Sequence, residues 1–147
     1  MLQGLNHLTL SVSCLETSFN FYTQTLGCKP LARWKQGAYL LAGDLWLCLS
    51  LNGDEAKPTL RNRSKAANYT HIAFSVSPEF LRQCRQNIEQ LNLKLWQENT
   101  SEGDSLYILD PDHHQLELHV GNWQTRLLAT KQNPYADMVF YDLSSTS

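Results

Sequence analysis

A chain of 147 residues with 42% hydrophobic and 10% aromatic content carries enough apolar mass for one compact core, which excludes both a disordered chain and two ordinary domains. A formal net charge of −2 offers no general polyanion-binding surface, so nucleic acid is not an expected partner. No apolar run approaches the roughly 20 residues a membrane span needs, and Met1 to His7 lacks the basic end and apolar centre of a signal peptide. The four scattered cysteines, Cys14, Cys28, Cys48 and Cys84, are then expected to be reduced and the chain cytoplasmic.

LNHLTLSV, residues 5–12, reads as a strand with Leu8, Leu10 and Val12 on one face and His7, Thr9 and Ser11 on the other. Ser13 and Glu16 have the spacing of a capping box, which predicts a helix carrying Leu15, Phe19, Tyr22 and Leu26 and stopping at Gly27. Strands are expected at 29–34, 38–41 and 45–51, with Gly37 and 42–44 as turns. Residues 52–68 read as a linker loop whose Lys57, Arg61, Arg63 and Lys65 are solvated.

After the linker the order starts again. YTHIAFSV, residues 69–76, repeats the polarity of LNHLTLSV, with His71 in the place of His7. Ser77 and Pro78 open a second helix, with Phe80, Leu81, Cys84, Ile88 and Leu91 as its apolar stripe and Asn92 as its end. Strands follow at 94–98, 105–109 and 115–120. The expected organisation is α+β: one domain over 1–147 made of two βαβββ modules, 1–51 and 69–121, with a tail over 122–147. Anchoring Tyr39 on Tyr107, with the first module's turn three residues shorter, sets Trp46 opposite Glu117 and Cys48 opposite His119.

The polar faces carry the chemistry. His7, His71 and Glu117 lie on the first, fifth and eighth strands. If those strands meet, two imidazoles and a carboxylate converge with coordination positions left open, a set that suits manganese, iron, zinc or nickel as a Lewis acid. The bland alternative is a pair of hydrogen-bonded core histidines. His119 reads as an outer partner of Glu117 rather than a ligand. The loop Asn99-Thr-Ser-Glu-Gly-Asp-Ser105 is either an oxygen-rich cation or oxyanion site or a plain turn. Arg126, in a short helix, is an anion anchor or a solvated surface group. Trp34, Tyr39 and Trp46 are core residues or pocket lining.

The ordered set GLNHLTLSV, GAYL, LWLCLS, YTHIAFSV, NTSEGDSLYILDPD, LELHVGNWQTRL and NPYADMVF resembles the fosfomycin-resistance glutathione transferases of the vicinal oxygen chelate superfamily. The resemblance runs over about 1–140, broken mainly at 52–68. It implies a glyoxalase-like incomplete barrel whose modules are exchanged in a homodimer, with His7 of one subunit and His71 and Glu117 of the other holding Mn(II). It implies a potassium ion near Asn99, Ser101, Glu102, Gly103 and Ser105, fosfomycin as substrate and glutathione as the added thiol. By the same resemblance Thr9 assists oxygen binding and Tyr39 orients or deprotonates the thiol. Trp46 and Cys48 line the pocket, while Ser101, Ser105, Tyr107 and Arg126 hold the phosphonate.

Three positions depart from that family. Gln97 replaces a lysine and Thr100 a basic residue, each removing positive charge from a pocket for anions, and His113 stands where glycine is usual and affects turn strain. Two other classes remain open. One is a same-fold epoxide hydrolase, glyoxalase or ring-cleaving dioxygenase. The other is a small-anion binding protein without turnover, against which the presence of His7, His71 and Glu117 argues.

Overall fold

The computed structural model describes residues 3–51, 69–100 and 103–141. The expected linker and, from the oxygen-rich loop, Ser101 and Glu102 lie outside the described residues. The first module comprises β1 (His7–Val12), α1 (Leu15–Asn20), β2 (Lys29–Trp34), β3 (Gly37–Ala42) and β4 (Leu45–Leu51). α1 runs on through one wider turn, Phe21–Thr25, closed by Leu26 N–H donating to Phe21 C=O at 3.1 Å. The second module comprises β5 (Ile72–Ser75), α2 (Pro78–Gln86), β6 (Lys94–Gln97), β7 (Asp104–Leu109) and β8 (Gln115–Val120), and α3 (Trp123–Gln132) follows. None of the described helices is long and apolar enough to cross a membrane.

The strand orders β1-β4-β3-β2 and β5-β8-β7-β6 are one topology used twice. In each module the first and last strands pair in parallel and the rest antiparallel. The expected pair of βαβββ modules therefore forms, as two open sheets rather than a closed barrel. β1 and β5 are edge strands, and no pairing joins the two sheets among the described residues.

Register corrects the repeat. Tyr39 pairs with Cys48 and Tyr107 with Glu117. On the parallel side Thr9 pairs with Cys48 and Ala73 with Glu117. Both comparisons make Cys48, not Trp46, the counterpart of Glu117, and they make Ser50 the counterpart of His119. Glu117 still has no acidic equivalent in the first module.

The aliphatic faces of both sheets and the inner faces of α1 and α2 share one core, which includes Leu10, Val12, Leu47, Leu49, Leu81, Ile108, Leu116 and Leu118. Each fully buried Leu or Ile contributes roughly 1.5–3 kcal/mol by leaving water. α2 begins as expected, with Ser77 Oγ accepting from Phe80 N–H at 3.1 Å and Pro78 in the first turn. α1 does not. Its N-cap is Cys14, without a side-chain cap bond, and Glu16 pairs with Arg33 at 2.9 Å. The helix entrance is held instead from the second module, where Asp112 accepts from Ser13 N–H (3.0 Å) and Ser18 Oγ (3.2 Å).

Asp110 reinforces that clasp. Its Oδ1 accepts the N–H of Asp112 (3.0 Å) and His114 (2.8 Å), and its Oδ2 faces the Tyr22 hydroxyl (2.8 Å) and His114 Nδ1 (2.7 Å). Burial and the adjacent carboxylate push the Tyr22 phenol well above its ordinary pKa, so it stays a donor. His113 takes the left-handed backbone conformation at φ 62° in the same turn. The Asp-Pro-Asp-His-His stretch is thus a joint between modules as well as a turn.

Candidate functional site

β8 places Glu117 on the face opposite its aliphatic residues, with Ala73 of β5 on one side and Tyr107 of β7 on the other. Three polar groups reach its carboxylate. His71 Nε2 lies 2.9 Å from Oε2, Ser105 Oγ 2.6 Å from Oε1, and His119 Nδ1 3.3 Å from Oε1. Glu117 is only 6% exposed. Burial works against its charge, but the Ser105 and His71 hydrogen bonds outweigh it, with help from the charges of His71 and His119, and hold the carboxyl below its ordinary pKa.

The His71 contact tests whether these residues fit a cation. His71 Nδ1 lies 2.8 Å from the carbonyl oxygen of Tyr69; a carbonyl only accepts, so Nδ1 carries a proton. The other nitrogen then points at a carboxylate, which also only accepts. In a neutral ring that contact sets two lone pairs against each other at 2.9 Å. A positive species must lie between them: a proton on Nε2, or a metal ion that both atoms ligate. The backbone carbonyl behind the ring is the usual outer partner of a metal-binding histidine. Tyr69 (ring centroids 4.9 Å), Trp96 (5.7 Å) and Tyr107 (6.0 Å) surround the imidazole, and such apolar walls strengthen electrostatic contacts.

His7 is not part of this cluster. It lies on β1 in the other sheet, exposed, with Nδ1 2.8 Å from Asn6 Oδ1 and its ring 4.9 Å from that of Trp46. Tyr39 stands edge-on to Trp46 at 5.2 Å and Trp34 to Tyr39 at 4.7 Å. Thr9 and Cys48, paired across β1 and β4, continue the same face. Trp46 Nε1 is buried without a hydrogen-bond partner among the described residues, an unsatisfied donor of the kind that marks functional surfaces. Among the described residues no three His, Cys, Asp or Glu side chains of one copy form a group that would hold a metal. One copy brings together His71 and Glu117 and leaves His7 apart, so the condition that the first and fifth strands meet is not fulfilled within one chain.

The remaining expected residues surround the second module's face. Asn99 Nδ2 donates to Gly103 O at 2.9 Å across the loop that contains Ser101 and Glu102, and Gly103 has φ 86°. Tyr107 is buried and pairs with Gln97 of β6. Gln97 Nε2 reaches the Tyr69 hydroxyl at 3.5 Å, and Thr100 is exposed. Arg126 lies in the first turn of α3, which opens on a capping box between Asn122 and Thr125. Sequence reasoning missed Arg85. From α2 it grips the start of β7, donating to Asp104 Oδ2 at 3.0 Å and Ser105 O at 2.9 Å. A helix arginine carries no signal for this until the fold brings Asp104 to it.

Comparison with known proteins gives the geometry a context. Residues 4–118 match the family model described as "Glyoxalase/Bleomycin resistance protein/Dioxygenase superfamily". The chain is 50% identical over 140 residues to the glutathione transferase FosA of Serratia marcescens, covering 95% of this chain and 96% of that protein. It is 35% identical over 145 residues to the metallothiol transferase FosB of Staphylococcus saprophyticus, covering 97% and 92% respectively. A crystal structure of a mutant of the fosfomycin resistance protein FosX from Listeria monocytogenes, complexed with Mn(II) and 1S,2S-dihydroxypropylphosphonic acid, matches with TM-score 0.72 and 28% identity, covering 86% of this chain and 97% of that one.

Proposed function

This chain belongs to the glyoxalase/bleomycin resistance protein/dioxygenase superfamily, and from that premise we propose that it is a metal-dependent glutathione transferase that inactivates fosfomycin by adding the glutathione thiol to the epoxide ring. The observation that carries the reading is the His71–Glu117 contact, an imidazole nitrogen and a carboxylate oxygen 2.9 Å apart that a proton or a metal ion must join. Similarity to a glutathione transferase over 95% of the chain supports the choice of thiol. Mn(II) and a three-carbon phosphonate in the FosX complex support the metal and the substrate class.

In this reading the site is completed by two copies: His7 comes from one, and His71 and Glu117 from the other. The separation of His7 from the other two in a single copy, and the edges of β1 and β5 that no strand pairs among the described residues, support a homodimer of this kind. The ion bound there, Mn(II), supplies Lewis-acid polarisation of the epoxide C–O bond.

The side chains do the rest. Tyr39 orients the thiol or helps its deprotonation by accepting a hydrogen bond from it. The sulfur forms a bond to the ring carbon bearing phosphorus as the carbon–oxygen bond breaks, and the proton lost by the thiol ends on the oxygen released. Thr9 assists the binding of that oxygen. Ser101, Tyr107 and Arg126 hold the phosphonate in line with the attacking sulfur, while the buried Ser105 hydroxyl is committed to Glu117 Oε1 at 2.6 Å, and Trp46 and Cys48 close the apolar side. By the same reading Asn99, Ser101, Glu102, Gly103 and Ser105 would hold a potassium ion, which would offset the phosphonate charge.

Gln97 and Thr100 set the expected performance. Restoring a cation near Tyr69 and Tyr107 adds a charge-assisted bond to an anionic substrate, about 1.5 kcal/mol or more, so Gln97→Lys should raise kcat/KM about tenfold. The test is product analysis by mass spectrometry and phosphorus NMR, with Mn(II) and fosfomycin, with and without glutathione, in wild type and variant. A thioether adduct that needs glutathione and forms faster in the variant is the expected result. A diol formed without thiol would make the protein a hydrolase. Stoichiometric protection of fosfomycin unaffected by chelator would make it a binding protein.

A further inference from the structure

Ser105 and His119 face each other across the β7–β8 pair, and the serine hydroxyl touches two groups at once. It lies 2.6 Å from Glu117 Oε1 and 2.8 Å from His119 Nδ1. A hydroxyl has one proton and an ionised carboxylate has none, so that proton goes to Glu117. His119 Nδ1 must then be the donor to Ser105 Oγ, and a polarised chain runs from the imidazole through the hydroxyl to the carboxylate. Ser105 is 2% exposed, which leaves little room for water to compete.

The imidazole sits in a slot that glycines create. A Cβ on Gly103 would come within 2.8 Å of His119 Cε1, and one on Gly121 within 2.8 Å of His119 Nε2. Both glycines have positive φ, 86° and 142°, and both lie next to the strands that carry the chain of bonds. The ring cannot swing aside without moving backbone on two sides. The first module has no such device: Cys48 replaces Glu117 in its register and Ser50 replaces His119.

We infer that His119 is a positioning residue for Glu117. Acting through the Ser105 hydroxyl, it pins Oε1 and leaves Oε2 turned toward His71, so that the carboxylate meets a divalent ion already oriented. The inference rests on the reading of Glu117 as a metal ligand, and the experiment separates the two. Mn(II) affinity is measured by EPR of the free ion in wild type, His119→Phe, His119→Asn, Ser105→Ala, the Phe/Ala double variant and Glu117→Gln. His119→Phe should weaken Mn(II) about 10- to 100-fold, as loss of an outer partner does. His119→Asn, whose amide N–H can stand in for Nδ1–H, should keep most of the affinity. Ser105→Ala should lose as much as His119→Phe, and the double variant no more than either, because each breaks the same chain.

Ser105→Ala only removes an oxygen, so it keeps the test decisive should the phenyl ring not fit the slot. Unchanged affinity in Ser105→Ala, additive losses, or an asparagine variant as weak as the phenylalanine one would overturn the positioning role while Glu117→Gln still loses metal. Full Mn(II) binding by Glu117→Gln would overturn the ligand assignment and this inference with it.

Discussion

Glu117→Gln is expected to lower kcat/KM for fosfomycin by roughly 10³-fold or more, about 4 kcal/mol of lost charge stabilisation, without unfolding the protein. The new amide fits the metal-free pocket: its oxygen can accept from Ser105, and its N–H₂ can donate to His71 Nε2, where wild type needs a proton or a metal ion between two atoms 2.9 Å apart. The neutral amide is a poor ligand for a divalent ion, so the loss falls on metal binding. The measurement is thermal unfolding with and without Mn(II). A ligand that binds only the folded state raises its stability. Wild type should gain Tm on adding Mn(II), and the variant should start no lower and gain nothing.

The second large effect falls on stability. Asp110→Ala removes an acceptor whose side chain is fully buried, leaving the Tyr22 hydroxyl, His114 Nδ1 and two backbone N–H groups without it. Stripping one partner from a buried charged network costs about 3–5 kcal/mol, against a total of roughly 5–15 kcal/mol for a folded chain. Urea denaturation should show a midpoint lowered accordingly, with Tyr22 and α1 detached from the second module. A shift below about 1 kcal/mol would mean that the clasp between modules lies elsewhere.

Alternation and helical spacing make nearly all of the architecture legible in the amino-acid sequence. The Ser77 cap of α2, β4 and β8 appear where the pattern puts them, although α2 stops at Gln86 and leaves Ile88 and Leu91 of the expected stripe in turns before Asn92, and Glu117 does share a face with His119 beside His71. What failed did so for a physical reason. Matching Trp46 rather than Cys48 to Glu117 is a two-residue slip, and a strand's side chains repeat every two residues, so every face stays correct and the pattern cannot expose the error. Only hydrogen-bonded register does, with turns that differ by one residue rather than three. The Ser13–Glu16 capping box is a local signal overridden by Asp112, which lies 99 residues from Ser13 in sequence. Nor does a histidine on a strand disclose which sheet it ends on: His7 belongs to one module's sheet and Glu117 to the other's. The pairing that would unite them is not encoded within one copy's described residues.

That last point is the centre of the account, and mixing two inactive proteins tests it. His7→Ala and Glu117→Gln chains are unfolded together, refolded and assayed with Mn(II), glutathione and fosfomycin. If each site takes His7 from one copy and Glu117 from the other, half the dimers are mixed and each of those has one intact site. About one quarter of wild-type activity should return. Sites completed within single chains would leave every site with one defect, and the mixture would stay as inactive as its parts.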